Sequence, residues 1–178
     1  MTNFEKKTME DLGRMDINAF KESVKMPVII VLDNVRSANN IGSIFRTADA
    51  FRVEAIYLTG ICAIPPHKEI MKTALGASDT VNWKYFATPG EAINSLLEEH
   101  YSIIAVEQST HSIPLQDFIM HQKTAFVFGN EVNGVSEYVL ALSEACIEIP
   151  QFGTKHSFNI AITTGIILWD TFIKTKTL

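Results

Sequence analysis

Five consecutive aliphatic residues, Val28-Ile29-Ile30-Val31-Leu32, follow Pro27 and stop at Asp33. A strand with one wet face alternates apolar and polar side chains. An unbroken apolar run this short therefore predicts a strand buried on both faces, as in parallel sheets flanked by helices. The unit recurs along the chain. Strands are expected over 55–58, 81–86, 103–106, 125–128 and 147–149. Helices are expected from a cap at Asn39 or Asn40 to 52, over 69–75 with Gly76 as the stop, over 89–100, and over 157–174. Strands alternating with helices give an α/β fold with a mostly parallel sheet. Ligands in such sheets gather at the carboxyl ends of the strands. Segments starting at Asp33, Gly129 and Pro150 leave those ends.

The length, 178 residues with 47% hydrophobic, suits one domain at roughly 100–200 residues per domain. Residues 27–178 form that domain. Residues 1–26 are read as an N-terminal helical extension. Within it an amphipathic helix over 9–24 has Met9, Leu12, Met15 and Phe20 as apolar positions and Thr8 as cap. The extension is polar and mixed in charge, unlike a secretory signal. The longest apolar stretch, 160–173, is interrupted by Thr163, Thr164, Gly165 and Asp170, and a membrane span needs about 20 apolar residues. A cytoplasmic protein with no membrane partner is expected. Cys62 and Cys146 lie far apart and read as two reduced, small hydrophobes.

Several familiar chemistries are excluded. Residues 129–134, Gly-Asn-Glu-Val-Asn-Gly, have the glycine spacing of a P-loop, but Val135 stands where its lysine belongs. No Gly-x-Gly-x-x-Gly follows a strand, which disfavours a nucleotide-binding oxidoreductase. The five histidines (67, 100, 111, 121 and 156) lack ligand spacing, so no metal site is expected.

Three polar segments remain, and each has a plain structural reading beside a functional one. In the first, Asn40 opens a helix and Arg46 follows six residues on; a guanidinium there can hold a phosphodiester bidentately, or simply pair with Asp49. In the second, Gly129 and Gly134 let Glu131 project into a crevice, or form an ordinary strand-to-helix turn with Ser136 as cap. The third, from Ile149-Pro150 through Gly153 to Ser157 and Asn159, is a glycine loop with a polar helix start, or a helix capped by Ser157.

Taken in order, the three resemble the motifs of the SpoU (TrmH-like) branch of the SPOUT RNA methyltransferases, over about residues 27–169. Asn40-x5-Arg46-Thr47-Ala48 is similar to motif 1, and Phe128-Gly129-Asn130-Glu131-x-x-Gly134 to motif 2. Ile149-Pro150, Gly153 and Ser157-x-Asn159 are similar to motif 3, with Gln151 and Phe158 where the family usually has methionine and leucine. The resemblance implies a parallel α/β sheet with a C-terminal trefoil knot, an exception to the rule that chains do not thread. It implies a homodimer that transfers a methyl group from S-adenosylmethionine to a ribose 2′-hydroxyl of RNA. A short member suggests tRNA, with rRNA, or a non-catalytic RNA-binding protein on the same scaffold, as alternatives. Arg46 is then the catalytic residue, with Asn40, Glu131, Ser157 and Asn159 ordering it or the substrate. Glu107, Gly129, Ile149, Ser157 and Phe158 would surround the cofactor. Arginine stays protonated, with a pKa above about 12, which favours positioning over proton abstraction.

The net charge of −5 weighs against a nucleic-acid partner only until its distribution is seen. Residues 91–148 hold nine acidic residues and one lysine, a local −8 that leaves +3 for the rest. Arg36, Arg46, Arg52, Lys68, Lys72 and Lys84 lie around the first motif. Lys155 is expected to join them. Binding should be local and salt-sensitive.

Overall fold

The computed structural model describes residues 4–8, 10–120 and 123–175. Seven strands form one parallel sheet: β1 (Met26–Asp33), β2 (Val53–Thr59), β3 (Asn82–Phe86), β4 (Ser102–Val106), β5 (Ile113–Pro114), β6 (Thr124–Phe128) and β7 (Ala145–Glu148). Their spatial order is β3-β2-β1-β6-β4-β7-β5, with every pairing parallel. Around it lie α1 (Ile17–Glu22), α2 (Ala38–Ala50), α3 (Lys68–Ala74), α4 (Ala77–Thr80), α5 (Pro89–Glu98), α6 (Glu137–Leu142) and α7 (Ile160–Thr175).

The β1 run is buried on both faces. Val28, Ile30 and Leu32 pack with Phe126 and Phe128 of β6 under α2, α3 and α7. Ile29 and Val31 face the other way, onto Ala92, Ile93 and Leu96 of α5 and Val139 of α6. The period-two geometry of a strand thus divides five aliphatic residues between two cores. β3 pairs with β2 and forms an edge of the sheet, so only Trp83 and Phe86 of its residues are half-buried.

The N-terminal extension departs from expectation. Helix appears only at Ile17–Glu22, capped by Asp16, whose side chain accepts from Ala19 N at 2.8 Å. Thr8 is not its cap: Thr8 and Asp11 close a separate turn, with Asp11 accepting from both the backbone N–H and the hydroxyl of Thr8. Gly13 at φ +55° then breaks the helical path. Leu12 and Met15 are exposed and Phe20 alone of the described apolar positions is buried. Met9 lies outside the described residues.

Caps and ends elsewhere are also corrected. Neither Asn39 nor Asn40 caps α2; Ser37 does, its side chain accepting from Asn40 N at 3.2 Å. α7 starts at Ile160 rather than at Ser157. Asn159 takes the cap, its Oδ1 accepting from Ala161 N at 2.9 Å. The short β5 and α4 escape sequence reading because neither is long enough to show a period.

Both cysteines are free thiols. Cys62 is buried, accepting from Val35 N at 3.2 Å and donating to Leu32 O at 3.3 Å. Burial pushes its thiol up from the ordinary value, as expected of an unreactive core cysteine.

Candidate functional site: a crevice at the carboxyl ends of the central strands

The central strands end in three loops that meet. After β1, Asp33 is buried and its carboxylate accepts from Asn34 Nδ2 and from Ser136 N, both at 2.8 Å. Asn34 adopts φ +56°, an uncommon conformation that asparagine tolerates better than most residues. Its carbonyl accepts from Asn130 Nδ2 at 2.7 Å. Asn130 also accepts from Val132 N and Asn133 N, folding 130–134 into a tight hairpin. The loop after β6 is thereby sewn to the loop after β1.

Gly129 has to be glycine. A Cβ there would overlap Gly134 C and Val135 N, backbone atoms with no freedom to move aside. Gly134 sits at φ +69° against the Glu107 carboxylate. That carboxylate accepts from Val135 N at 3.0 Å and Gln108 N at 2.8 Å. Glu107, directly after β4, therefore pins the end of β4 to the loop after β6.

Glu131 does not point freely into solvent. Its carboxylate accepts from Arg36 N at 3.0 Å and Ser37 N at 3.1 Å, at the amino end of α2. The helix dipole and the unpaired N–H groups there favour an anion. Burial pushes the Glu131 carboxyl up, but the hydrogen bonds from Arg36, Ser37 and the Asn40 amide outweigh it and hold the group below its usual 4.5. Asn40 Nδ2 lies 3.5 Å from Glu131 Oε1, and Asn40 Oδ1 accepts from Asn159 Nδ2 at 3.1 Å. Glu131, Asn40 and Asn159 thus form one polar chain drawn from all three segments, across sequence separations of 91 and 119 residues.

Beside this chain lies a crevice of about 650 Å³. Its wall takes Glu107, Gly129, Glu131, Ile149, Ser157, Phe158 and Asn159 of the expected residues. Sequence reading placed Asn130 in the second motif without a role and missed Gln108. The signal for Asn130 was its place directly after Gly129. Gln108 carried none, since its role is a single bond from Nε2 to His156 O at 2.6 Å across 48 residues. Ser157 lies in the loop before α7 and is exposed.

Two expected residues lie outside the wall: Asn40, which joins it only through Glu131 and Asn159, and Arg46. Arg46 is exposed on α2. It does not pair with Asp49, which instead accepts from Thr80 Oγ1 at 2.6 Å. Among the described residues its guanidinium has no ion pair. α7 packs along the same helix, with Gly165 against Thr47, so Arg46 emerges beside the α2–α7 contact.

The chain is 28% identical over 145 residues to a 23S rRNA (guanosine-2′-O-)-methyltransferase of Neisseria meningitidis, covering 82% of this chain and 58% of that one. It is 28% identical over 155 residues to a tRNA (guanosine(18)-2′-O)-methyltransferase of Aquifex aeolicus, covering 84% of this chain and 70% of the other. It thus spans little more than half the length of some curated relatives it matches. Among solved structures, the TrmH/SpoU tRNA modifying enzyme of A. aeolicus superposes with a TM-score of 0.79 at 25% identity, over 90% of this chain and 80% of that one. The sheet order, the three joined segments and these relatives agree with a family match over residues 27–169: the chain belongs to the SpoU rRNA Methylase family.

Proposed function

We propose that this protein transfers a methyl group from S-adenosylmethionine to a ribose 2′-hydroxyl of RNA, with tRNA the favoured substrate, in the cytoplasm. The observation that carries this reading is the Glu131–Asn40–Asn159 chain bordering the crevice. It fixes polar groups from three distant segments beside a cavity of nucleoside size.

The residues present fit the cofactor. The crevice volume lies within the roughly 300–1,000 Å³ of small-molecule sites. Ile147, Ile149, Phe128 and Phe158 offer apolar surface for a base. Glu107 and Gln108 offer polar groups, and the missing Cβ of Gly129 keeps the loop tight. When bound, S-adenosylmethionine supplies a sulfonium methyl open to attack by an alcohol oxygen. The chain's own residues must then orient the RNA and help the hydroxyl proton leave. Asn159, held by Asn40 and itself the cap of α7, presents a fixed amide at the crevice edge. Glu131 locks the 34–37 loop and so fixes the start of α2 that carries Arg46. Arg46, permanently charged and unpaired, binds the phosphate next to the target ribose and sets the hydroxyl in line.

A homodimer and a C-terminal trefoil knot belong to the same reading. Arg46 stands outside the crevice wall of its own chain, which supports a site completed by a second subunit. The knot is supported by connectivity: β7 lies beyond β4, yet the chain returns from it to α7 against α2.

The test is transfer of labelled methyl from S-adenosylmethionine to a tRNA pool, followed by complete digestion. Label in a 2′-O-methylnucleoside is the expected result. Label on a base, or none from an intact purified protein that binds the cofactor, would contradict the proposal.

A further inference from the structure

The loop over 150–158 has a base and a tip that behave differently. At its base, Gln151, His156, Ser157 and Phe158 line the crevice. Its tip, from Phe152 to Lys155, does not. Phe152 is 96% exposed. A Cβ on Gly153 would meet nothing within 4 Å, so the tip stands clear of the body of the protein. Single exposed apolar residues are common on proteins and carry nothing alone. Here the exposed ring directly follows Gln151, which lines the crevice, and Lys155 lies three residues further along the same loop.

Charge decides what such a tip would meet. No acidic residue occurs between 149 and 159. Three carboxylates line the crevice itself, Glu107, Glu131 and Glu148, so the cationic character belongs to the loop tip and not to the crevice wall. The exposed cations Arg36, Arg46 and Lys155 have no ion-pair partner among the described residues. The loop tip, with Lys155 and no acidic residue, therefore favours an anion. An exposed ring and an exposed cation in one short loop match unpaired nucleotides, whose bases stack on aromatic side chains while their phosphates take lysine.

We propose that Phe152 and Lys155 form a binding subsite for an unpaired RNA nucleotide flanking the methylated one, Phe152 stacking on its base and Lys155 contacting its phosphate. The inference rests on the RNA methyltransferase reading and names residues that would set its substrate affinity. It assigns the two side chains to RNA rather than to the cofactor or to a second copy of the chain.

The experiment measures KM for a tRNA pool, Kd for S-adenosylmethionine and the oligomeric state in the wild type, Phe152→Ala, Phe152→Leu, Phe152→Trp and Lys155→Gln. Phe152→Ala and Phe152→Leu should each raise KM for RNA by about tenfold, and Phe152→Trp should restore it. Cofactor affinity and oligomeric state should not change. Lys155→Gln should lower the slope of log affinity against log salt by about 0.7, one phosphate on a single strand. The leucine variant matters because it keeps apolar bulk and removes only the stacking face. An unchanged KM in Phe152→Ala, equal rescue by leucine, or a loss confined to cofactor binding or dimerisation would overturn the subsite. In the first case a wild type that still labels ribose would leave the RNA methyltransferase reading standing. A wild type that neither binds nor labels RNA would remove both.

Discussion

Glu131 is the residue on which the site turns. It carries a negative charge yet touches no cation among the described residues; its partners are backbone N–H groups and an amide. Because those donors lower its pKa below 4.5 in the folded protein, the carboxylate stabilises the fold above that value. The contribution is lost as pH falls through the folded pKa. Glu131→Gln should therefore be less stable than wild type near neutral pH, and the gap should close as pH drops below about 4.5. Urea unfolding of both proteins across pH 3–7 checks this; a gap independent of pH would refute it. Arg46→Ala should abolish methyl transfer while leaving cofactor affinity near wild type, since the arginine is exposed and outside the crevice wall. Calorimetric titration alongside a transfer assay separates those two quantities, and near-normal turnover would remove Arg46 from the mechanism.

Among the elements, the 129–135 hairpin is the least tolerant of change. Gly129→Ala must displace backbone at Gly134 and Val135, a strain of the overpacking kind that costs roughly 1–3 kcal/mol. It should also weaken cofactor binding, because the same loop lines the crevice. Denaturant unfolding and a binding titration measure both; a stability within about 0.5 kcal/mol of wild type would contradict the geometry. Ser37→Ala should cost about 1 kcal/mol by removing the α2 cap. These elements also show what the sequence could say. The β1 run announced a doubly buried parallel strand because five aliphatic residues cannot all face one core. The wall residues Glu107, Gly129, Ile149 and Asn159 could be named because the chain resembles the SpoU family, whose motifs imply those positions. The bond from Asn40 to Asn159 could not be read, since it joins residues 119 apart through tertiary packing. Capping of α2 was misassigned because Ser37, Asn39 and Asn40 are all good caps, and only the path of the chain out of Asp33 selects among them.

At the scale of the whole molecule, α7 carries large apolar residues on both its inner and its outer face. Ile160, Ile167 and Leu168 enter the core, while Ile162, Trp169 and Ile173 remain exposed. The proposed homodimer would cover that outer face and bring a second α2 near each crevice. Trp169→Glu should shift the protein toward monomer in light scattering and reduce transfer with it; a wild-type monomer at working concentration would contradict the dimer. The net charge of −5 conceals an uneven molecule, and RNA binding should fall steeply with salt even though the protein as a whole is acidic. In the proposed function, the crevice and its polar chain methylate a ribose hydroxyl in RNA. The most direct test maps 2′-O-methylation across total RNA from cells lacking the gene, and from the same cells carrying the wild type or Arg46→Ala. Loss at a tRNA position, restored by the wild type and not by Arg46→Ala, is the predicted result; an unchanged map in every RNA would contradict it.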